Sequence, residues 1–236
     1  MRIAALYDVH GNLPALEAVL ADVAAEGVDE LVVGGDVMWG PLQLECVELL
    51  RSEQPRWVAG NCERHVLTPT DDVDRWCLEQ LDAETRSFVA TWESTIERDV
   101  PGVGRVVFCH ATPTDDEAIV TTLTPDDAVR AAFATTSAEV VICGHTHVQF
   151  DRAVAGAPRL VNAGSVGLPY EGRPGACWAL VDEGVHLRRT EYDVESSLER
   201  LEQAGFPRFA DLFPDSLRGV TTAEEATERF ESLRGA

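Results

Sequence analysis

The chain has 236 residues, 45% hydrophobic and 25% charged, which excludes a disordered or fibrous protein and allows one sizeable α/β core. With 41 acidic residues against 19 basic ones, its formal net charge of −22 argues against an extended nucleic-acid partner. Every basic residue is Arg, which excludes a lysine Schiff base and a P-loop lysine, and no apolar run approaches the roughly 20 residues needed to span a bilayer.

In chain order, Arg2–Tyr7 is a brief apolar run that reads as a buried strand. It meets Asp8 and His10 too soon for a signal peptide's apolar region of about 7–15 residues, so a cytoplasmic protein is expected. Asn12 can cap a helix with Pro14 in its first turn; Leu13, Leu16, Leu20 and Val23 share one face, and Gly27 ends it. Glu30–Val33 and Arg56–Val58 are the next strands. Phe88, Trp92 and Ile96 recur every fourth residue and predict an amphipathic helix. Arg105–Cys109 and Glu139–Cys143 read as further strands, with a helix between them starting at Thr124-Pro125-Asp126-Asp127 and capped by Thr124. This β-α-β alternation predicts a mainly parallel sheet.

The pattern then changes. Gln149–Ala155, Arg159–Val161, Ala176–Asp182 and Val185–Tyr192 are strand-like and joined by tight turns, implying hairpins and a second sheet. Val194–Ala204 and Thr222–Leu233 predict C-terminal helices, linked by a Phe- and Pro-containing segment around Gly205–Pro214. Nothing resembles an interdomain linker, so one domain over 1–236 is expected, with 194–236 as a helical extension. Cys46, Cys62, Cys77, Cys109, Cys143 and Cys177 form no C-x-x-C pair and lie in apolar stretches, which favours buried reduced thiols.

The chemistry-bearing residues fall just after the strands. Asp8-Val9-His10 follows the first, Gly34-Gly35-Asp36 the second and Gly60-Asn61 the third; His110 follows the fourth and Gly144-His145-Thr146-His147 the fifth. The ends of parallel strands share one edge, where open α/β sheets bind ligands, so these residues are expected to converge. Two Asp, one Asn and four His form an oxygen and nitrogen set suited to Mn, Fe, Zn or similar divalent ions. Seven ligands exceed the needs of one ion, and a pair of ions sharing a carboxylate, a recurrent device for phosphoryl chemistry, is the economical arrangement.

The order D-x-H, G-D, G-N, strand-end His, G-H-x-H resembles the calcineurin-like metallophosphoesterases. Asp8/His10, Asp36, Asn61, His110 and His145/His147 carry the likeness, and Val161–Gly167 is similar to the segment closing that family's second sheet. The small prokaryotic phosphodiesterase branch is the most similar. The resemblance implies a four-layer α-β-β-α sandwich with two mixed sheets flanked by helices. It implies that Asp8, His10 and His147 hold one metal ion, Asn61, His110 and His145 a second, and that Asp36 bridges them. The implied cofactor is two divalent ions, Mn²⁺ first, with Fe, Zn, Ni, Co or Mg as alternatives. The implied activity is hydrolysis of a phosphodiester or phosphoanhydride bond in a small soluble substrate by metal-activated hydroxide. Dinucleoside polyphosphate hydrolysis, phosphomonoester hydrolysis and a catalytically weak scaffold, as in a retromer subunit of similar fold, are the alternatives.

One departure bears on mechanism. Where much of that family has His after the Asn, as a leaving-group acid, this chain has Cys62, followed by Glu63 rather than the commoner Asp. A thiol with pKa about 8.5 is a poor substitute for imidazolium. His65 is the candidate replacement. Arg64, Tyr170 and Arg173 are candidate substrate contacts, since Arg binds phosphate bidentately and Tyr can stack on a base. Trp39 and Trp76 are candidates for the cleft wall, and His186 reads as structural.

Overall fold

The protein, described here by a computed structural model covering residues 1–235, alternates strands and helices in the order anticipated for its first part. The elements are β1 (Ile3–Leu6), α1 (Leu13–Glu26), β2 (Glu30–Val33), α2 (Gln43–Ser52), β3 (Arg56–Trp57), α3 (Asn61–Leu67), α4 (Asp72–Glu79), α5 (Ala83–Val89), β4 (Thr95–Val100) and β5 (Gly104–Cys109). They continue with α6 (Asp126–Ala132), β6 (Val140–Cys143), β7 (Phe150–Arg152), β8 (Arg159–Asn162), β9 (Ala176–Val181), β10 (Val185–Thr190), α7 (Val194–Glu202), α8 (Phe209–Leu217) and α9 (Ala223–Leu233).

The strands form two five-stranded mixed sheets, ordered β10-β9-β1-β2-β3 and β4-β5-β6-β8-β7. In the first, β1 runs parallel to β2, with Ile3 opposite Glu30, and antiparallel to β9. In the second, β5, β6 and β8 are parallel neighbours, edged by antiparallel β4 and β7. The alternation of side chains along each strand decides the layering. Ile3, Ala5 and Tyr7 face Phe108, Ile142 and Val161 in a core between the sheets. Ala4 and Leu6 face outward onto α1, and onto Phe209, Phe213 and Leu217 of α8. On the opposite flank, Val107, Val141 and Cys143 pack with Val129 of α6. The result is the four-layer sandwich, with nine helices flanking the sheets among the described residues. Tyr7 ties the two sheets directly, its hydroxyl donating to the Ile142 carbonyl at 2.8 Å.

Several local expectations hold. Asn12 Oδ1 accepts from Ala15 N at 3.2 Å, and Gly27 ends α1 in the left-handed region with φ 63°. All six cysteines are buried and unpaired, and no helix is long and apolar enough to cross a membrane.

Four expectations are corrected. The five strands preceding the Asp, Asn and His residues belong to two sheets rather than one, and the sheets bring their carboxyl ends together at one end of the sandwich. The Phe88–Ile96 periodicity is broken, because the Thr91 and Trp92 amides close onto Phe88 and Val89, and Ile96 then pairs with Phe108 in β4. Thr124 does not cap α6, which starts from Pro125; its hydroxyl accepts from Thr121 N and bonds Glu231 of α9 instead. The Gly205–Pro214 link contains most of α8, which admits Pro214 in its interior while the Pro214 carbonyl still accepts from Arg218 N.

Candidate metal centre

Asp8, His10, Asp36, His145 and His147 all have positive φ, between 46° and 66°; Gln54 is the one other non-glycine residue to do so among those described. Such backbone costs of order 1–3 kcal/mol per residue and persists where surrounding bonds over-determine it. Those bonds are present. Asp8 N donates to Gly35 O at 3.1 Å, His10 N to Asp36 O at 2.9 Å and Tyr170 N to His147 O at 3.1 Å. Strain is thus concentrated where three loops leave β1, β2 and β6 and turn their side chains toward one point.

At that point, Asp8, His10, Asp36, His110 and His147 are buried, while Asn61 and His145 are partly open. Three donor groups lie close enough to share ions: Asp8/His10/His147, Asp36/His110/His145 and His10/Asp36/Cys62. His10 Nδ1 donates to Trp39 O at 3.0 Å and His147 Nδ1 to Leu168 O at 2.8 Å. A carbonyl accepts only, so both rings carry a hydrogen on Nδ1, and Nε2 is the nitrogen left to offer a lone pair to an ion. Those two nitrogens nevertheless face each other at 3.1 Å. His110 is aimed in the same way: Nδ1 meets Gly34 O at 2.9 Å, and Nε2 lies 3.0 Å from the Asn61 amide oxygen and 3.4 Å from Asp36 Oδ2. Asp8 Oδ1 is buried with no hydrogen-bond partner, although its Oδ2 accepts from His145 N at 2.9 Å.

Acceptors facing acceptors in a buried space are tolerable only around positive charge. Two nitrogens each about 2.1 Å from a shared ion at roughly right angles lie about 3 Å apart, which suits the His10–His147 spacing. The donor set, without a thiolate, fits a hard or borderline divalent ion.

The electrostatics agree. Burial is the largest influence on His10 and His145 and pushes each down to about 4, which leaves the rings neutral and able to donate electron pairs. On His110 burial is outweighed by Asp36, Asp8 and the Gly34 carbonyl, which lift it to about 10, so a proton is attracted where a cation would sit. Burial works against ionising Asp8 and Asp36, yet the neighbouring histidines hold both below the usual carboxylate range.

A family model for the calcineurin-like phosphoesterase superfamily domain matches residues 1–184. The chain belongs to that superfamily. It is 29% identical over 234 residues to an uncharacterized protein of Methanocaldococcus jannaschii, a match covering 88% of this chain and 94% of that protein. A metallophosphoesterase from Sphaerobacter thermophilus superposes with TM-score 0.75 at 27% identity, covering 93% of this chain and all of the other. A hypothetical protein from Pyrococcus horikoshii shares the fold with TM-score 0.76 at 18% identity, over 92% of this chain and 98% of that one. Membership of the superfamily implies divalent metal ions, for which the buried Asp and His groups are suited.

Around this centre the supporting groups are as specific as the converging ones. Glu63, buried in α3, accepts from four backbone amides: Asp36 N at 2.8 Å, Val37 N at 2.7 Å, Met38 N at 3.0 Å and Gly60 N at 2.7 Å. It thereby fixes the loop carrying Asp36 to the helix carrying Asn61. Asp36 itself accepts from Cys62 N at 2.9 Å and from the Cys62 thiol at 3.0 Å. Burial and the Asp36 charge push that thiol's pKa well up, so it stays a proton donor to Asp36. Gly60 has no room for a side chain, because a Cβ would lie 2.2 Å from Asp36 Oδ1. Asn162 Nδ2 donates to Gly144 O at 2.6 Å and to Thr146 Oγ1 at 3.1 Å, and Ser165 Oγ donates to Asp8 O at 2.7 Å. Sequence reasoning gave Glu63, Asn162 and Ser165 no role; the one available signal was their place within or beside the motifs.

The other candidates are scattered. Tyr170 stacks on His147, with ring centroids 5.0 Å apart and planes inclined 17°. Trp39 meets His10 edge-on at 5.8 Å, whereas Trp76 packs against Phe206. Arg64 makes a two-pronged ion pair with Asp116 and His65 bonds Glu117 at 2.9 Å, both on partly exposed side chains. Arg173 is exposed, its backbone lying against Gly219, and His186 bonds Asp182 at 3.0 Å.

Proposed function

We propose that the protein, acting as one domain over 1–236, is a two-metal phosphoesterase cleaving phosphodiester or phosphoanhydride bonds of a small soluble substrate. Asp8, His10 and His147 hold one ion, Asn61, His110 and His145 the other, and Asp36 spans both; Mn²⁺ is the proposed ion. The observation that carries this reading is the set of buried lone pairs that face one another, above all His10 Nε2 against His147 Nε2 at 3.1 Å. Divalent ions held there supply polarisation of the phosphorus–oxygen bonds and acidify water. The chain's own residues set the rest. Nδ1–H donation to carbonyls aims the His10, His110 and His147 rings. The Cys62 thiol orients Asp36. Six buried free thiols suit a reducing compartment, which supports a cytoplasmic location.

The test is metal analysis together with turnover. Manganese-loaded protein freed of excess ion is expected to retain about two ions per chain. It should hydrolyse bis-p-nitrophenyl phosphate, lose that activity on chelation and regain it with Mn²⁺. Protein that neither retains ions nor hydrolyses this ester or p-nitrophenyl phosphate would refute the proposal.

Because Cys62 is engaged by Asp36, His65 is the proposed leaving-group acid. It lies four residues after Asn61, on the same face of α3. Replacing His65 by Gln is expected to slow cleavage of a diester with an alkyl leaving group about tenfold or more, and to cost less than about threefold when p-nitrophenolate leaves without needing a proton. Equal effects on both substrates would remove His65 from the mechanism. Tyr170, Arg64 and Arg173 are the proposed substrate contacts; Tyr170 is favoured by its stacking on His147.

A further inference from the structure

Helix α9 lies beyond residue 184, where the family match ends, and no motif in the chain assigns it a role. Its position is fixed by several bonds. Thr121 Oγ1 donates to Glu231 at 2.7 Å, Thr124 bonds the same carboxylate, and Gly172 N donates to Thr221 O at 2.9 Å just before the helix. Ala226 and Thr227 are buried beneath it, and Ala223 and Thr227 share a groove with Val148 and Gln149, the residues that follow His147. The helix is thereby seated against the loop that carries both His145 and His147.

One of its side chains reaches the centre's open side. The Phe230 ring lies 6.2 Å from His145, inclined at 57°, and stays partly exposed. Arg229, the residue before it on the helix, is exposed. Arg234 on the same helix is tied to Glu231 at 2.7 Å, whereas Arg229 forms no ion pair among the described residues. In a chain with 41 acidic and 19 basic residues, an exposed arginine without a carboxylate partner, next in sequence to the ring that faces His145, is informative. The surface as a whole repels anionic substrates, so a local cation is needed to receive one.

We infer that α9 builds an outer subsite, with Phe230 packing against a planar ring of the substrate and Arg229 binding an anionic group beyond the scissile phosphate. The inference rests on the phosphoesterase reading and narrows it: nucleotide-like and aryl esters are preferred over alkyl ones. Phe230 offers the ring a stacking face and Arg229 offers a two-pronged donor for phosphate.

The test is calorimetric binding of inorganic phosphate, thymidine 5′-monophosphate and the non-hydrolysable methylene analogue of thymidine 5′-diphosphate to manganese-loaded protein. The wild type is expected to bind the monophosphate about tenfold more tightly than phosphate, the gain from one stacked ring. That ratio should fall below about threefold in Phe230→Ala, and also in Phe230→Leu, which keeps apolar bulk if the smaller variant folds poorly. Arg229→Gln should erase the added affinity of the diphosphate analogue over the monophosphate. A wild-type ratio near one, or a ratio unchanged in both Phe230 variants, overturns the subsite and leaves the phosphoesterase reading intact. If no ligand binds and no p-nitrophenyl ester is hydrolysed, both fall together.

Discussion

Asp36→Asn is expected to lower turnover of bis-p-nitrophenyl phosphate by about a hundredfold or more, beyond the 10–100-fold usual for losing a group that merely supports a ligand. The carboxylate is the proposed bridge, and the amide removes one negative charge from between two cations. Folding should survive. The amide oxygen can keep the bond from Cys62 N, now 2.9 Å, while the Cys62 thiol bond to Oδ2 and the attraction to His110, 3.4 Å away, are lost. The metal-free variant should therefore fold but melt somewhat below the wild-type temperature. What disappears is stabilisation by the ion. A hundredfold excess of Mn²⁺ over its Kd adds about 2.7 kcal/mol to a binding-competent protein, or roughly 5–10 °C in Tm for a chain of this size. Activity within threefold of wild type, or an undiminished Mn²⁺-induced shift, would contradict the bridging role.

Glu63→Ala has the opposite signature, a loss of fold rather than of ligand. Four buried backbone amides, those of Asp36, Val37, Met38 and Gly60, converge on its two oxygens. Each amide left without an acceptor costs about 1–3 kcal/mol, so the sum approaches the whole stability of an ordinary domain. A fall in Tm of about 10 °C or more is expected by circular dichroism, with weaker metal retention because the Asp36 loop is released. Glu63→Gln should fall between, since its NH₂ group would confront two of the four N–H donors. A shift under 2 °C in Glu63→Ala would mean that water replaces the carboxylate freely.

The likeness of motif order was legible because each chemistry-bearing residue follows an apolar run, and such runs announce strands by burial and β-branching alone. Asp8, Asp36 and His110 could be placed at strand ends for that reason. So could the first helix, whose start at Asn12 and stop at Gly27 depend on bonds within four residues. Periodicity failed at Ile96, where the four-residue spacing was outvoted by cross-strand pairing with Phe108, and composition failed at Pro214, where packing of α8 overrides a poor helix former.

By itself the sequence determined the kinds of donor, their order and the strands that deliver them, all properties of neighbours along the chain. Only the tertiary structure decided that two sheets rather than one supply the converging ends. It also decided that His10 and His147, 137 residues apart, confront each other at 3.1 Å. The same is true of Glu63 gathering amides from 25 to 27 residues upstream and of α9 setting Phe230 beside His145. Contacts across such separations follow from how layers pack and leave no spacing in the sequence to be read.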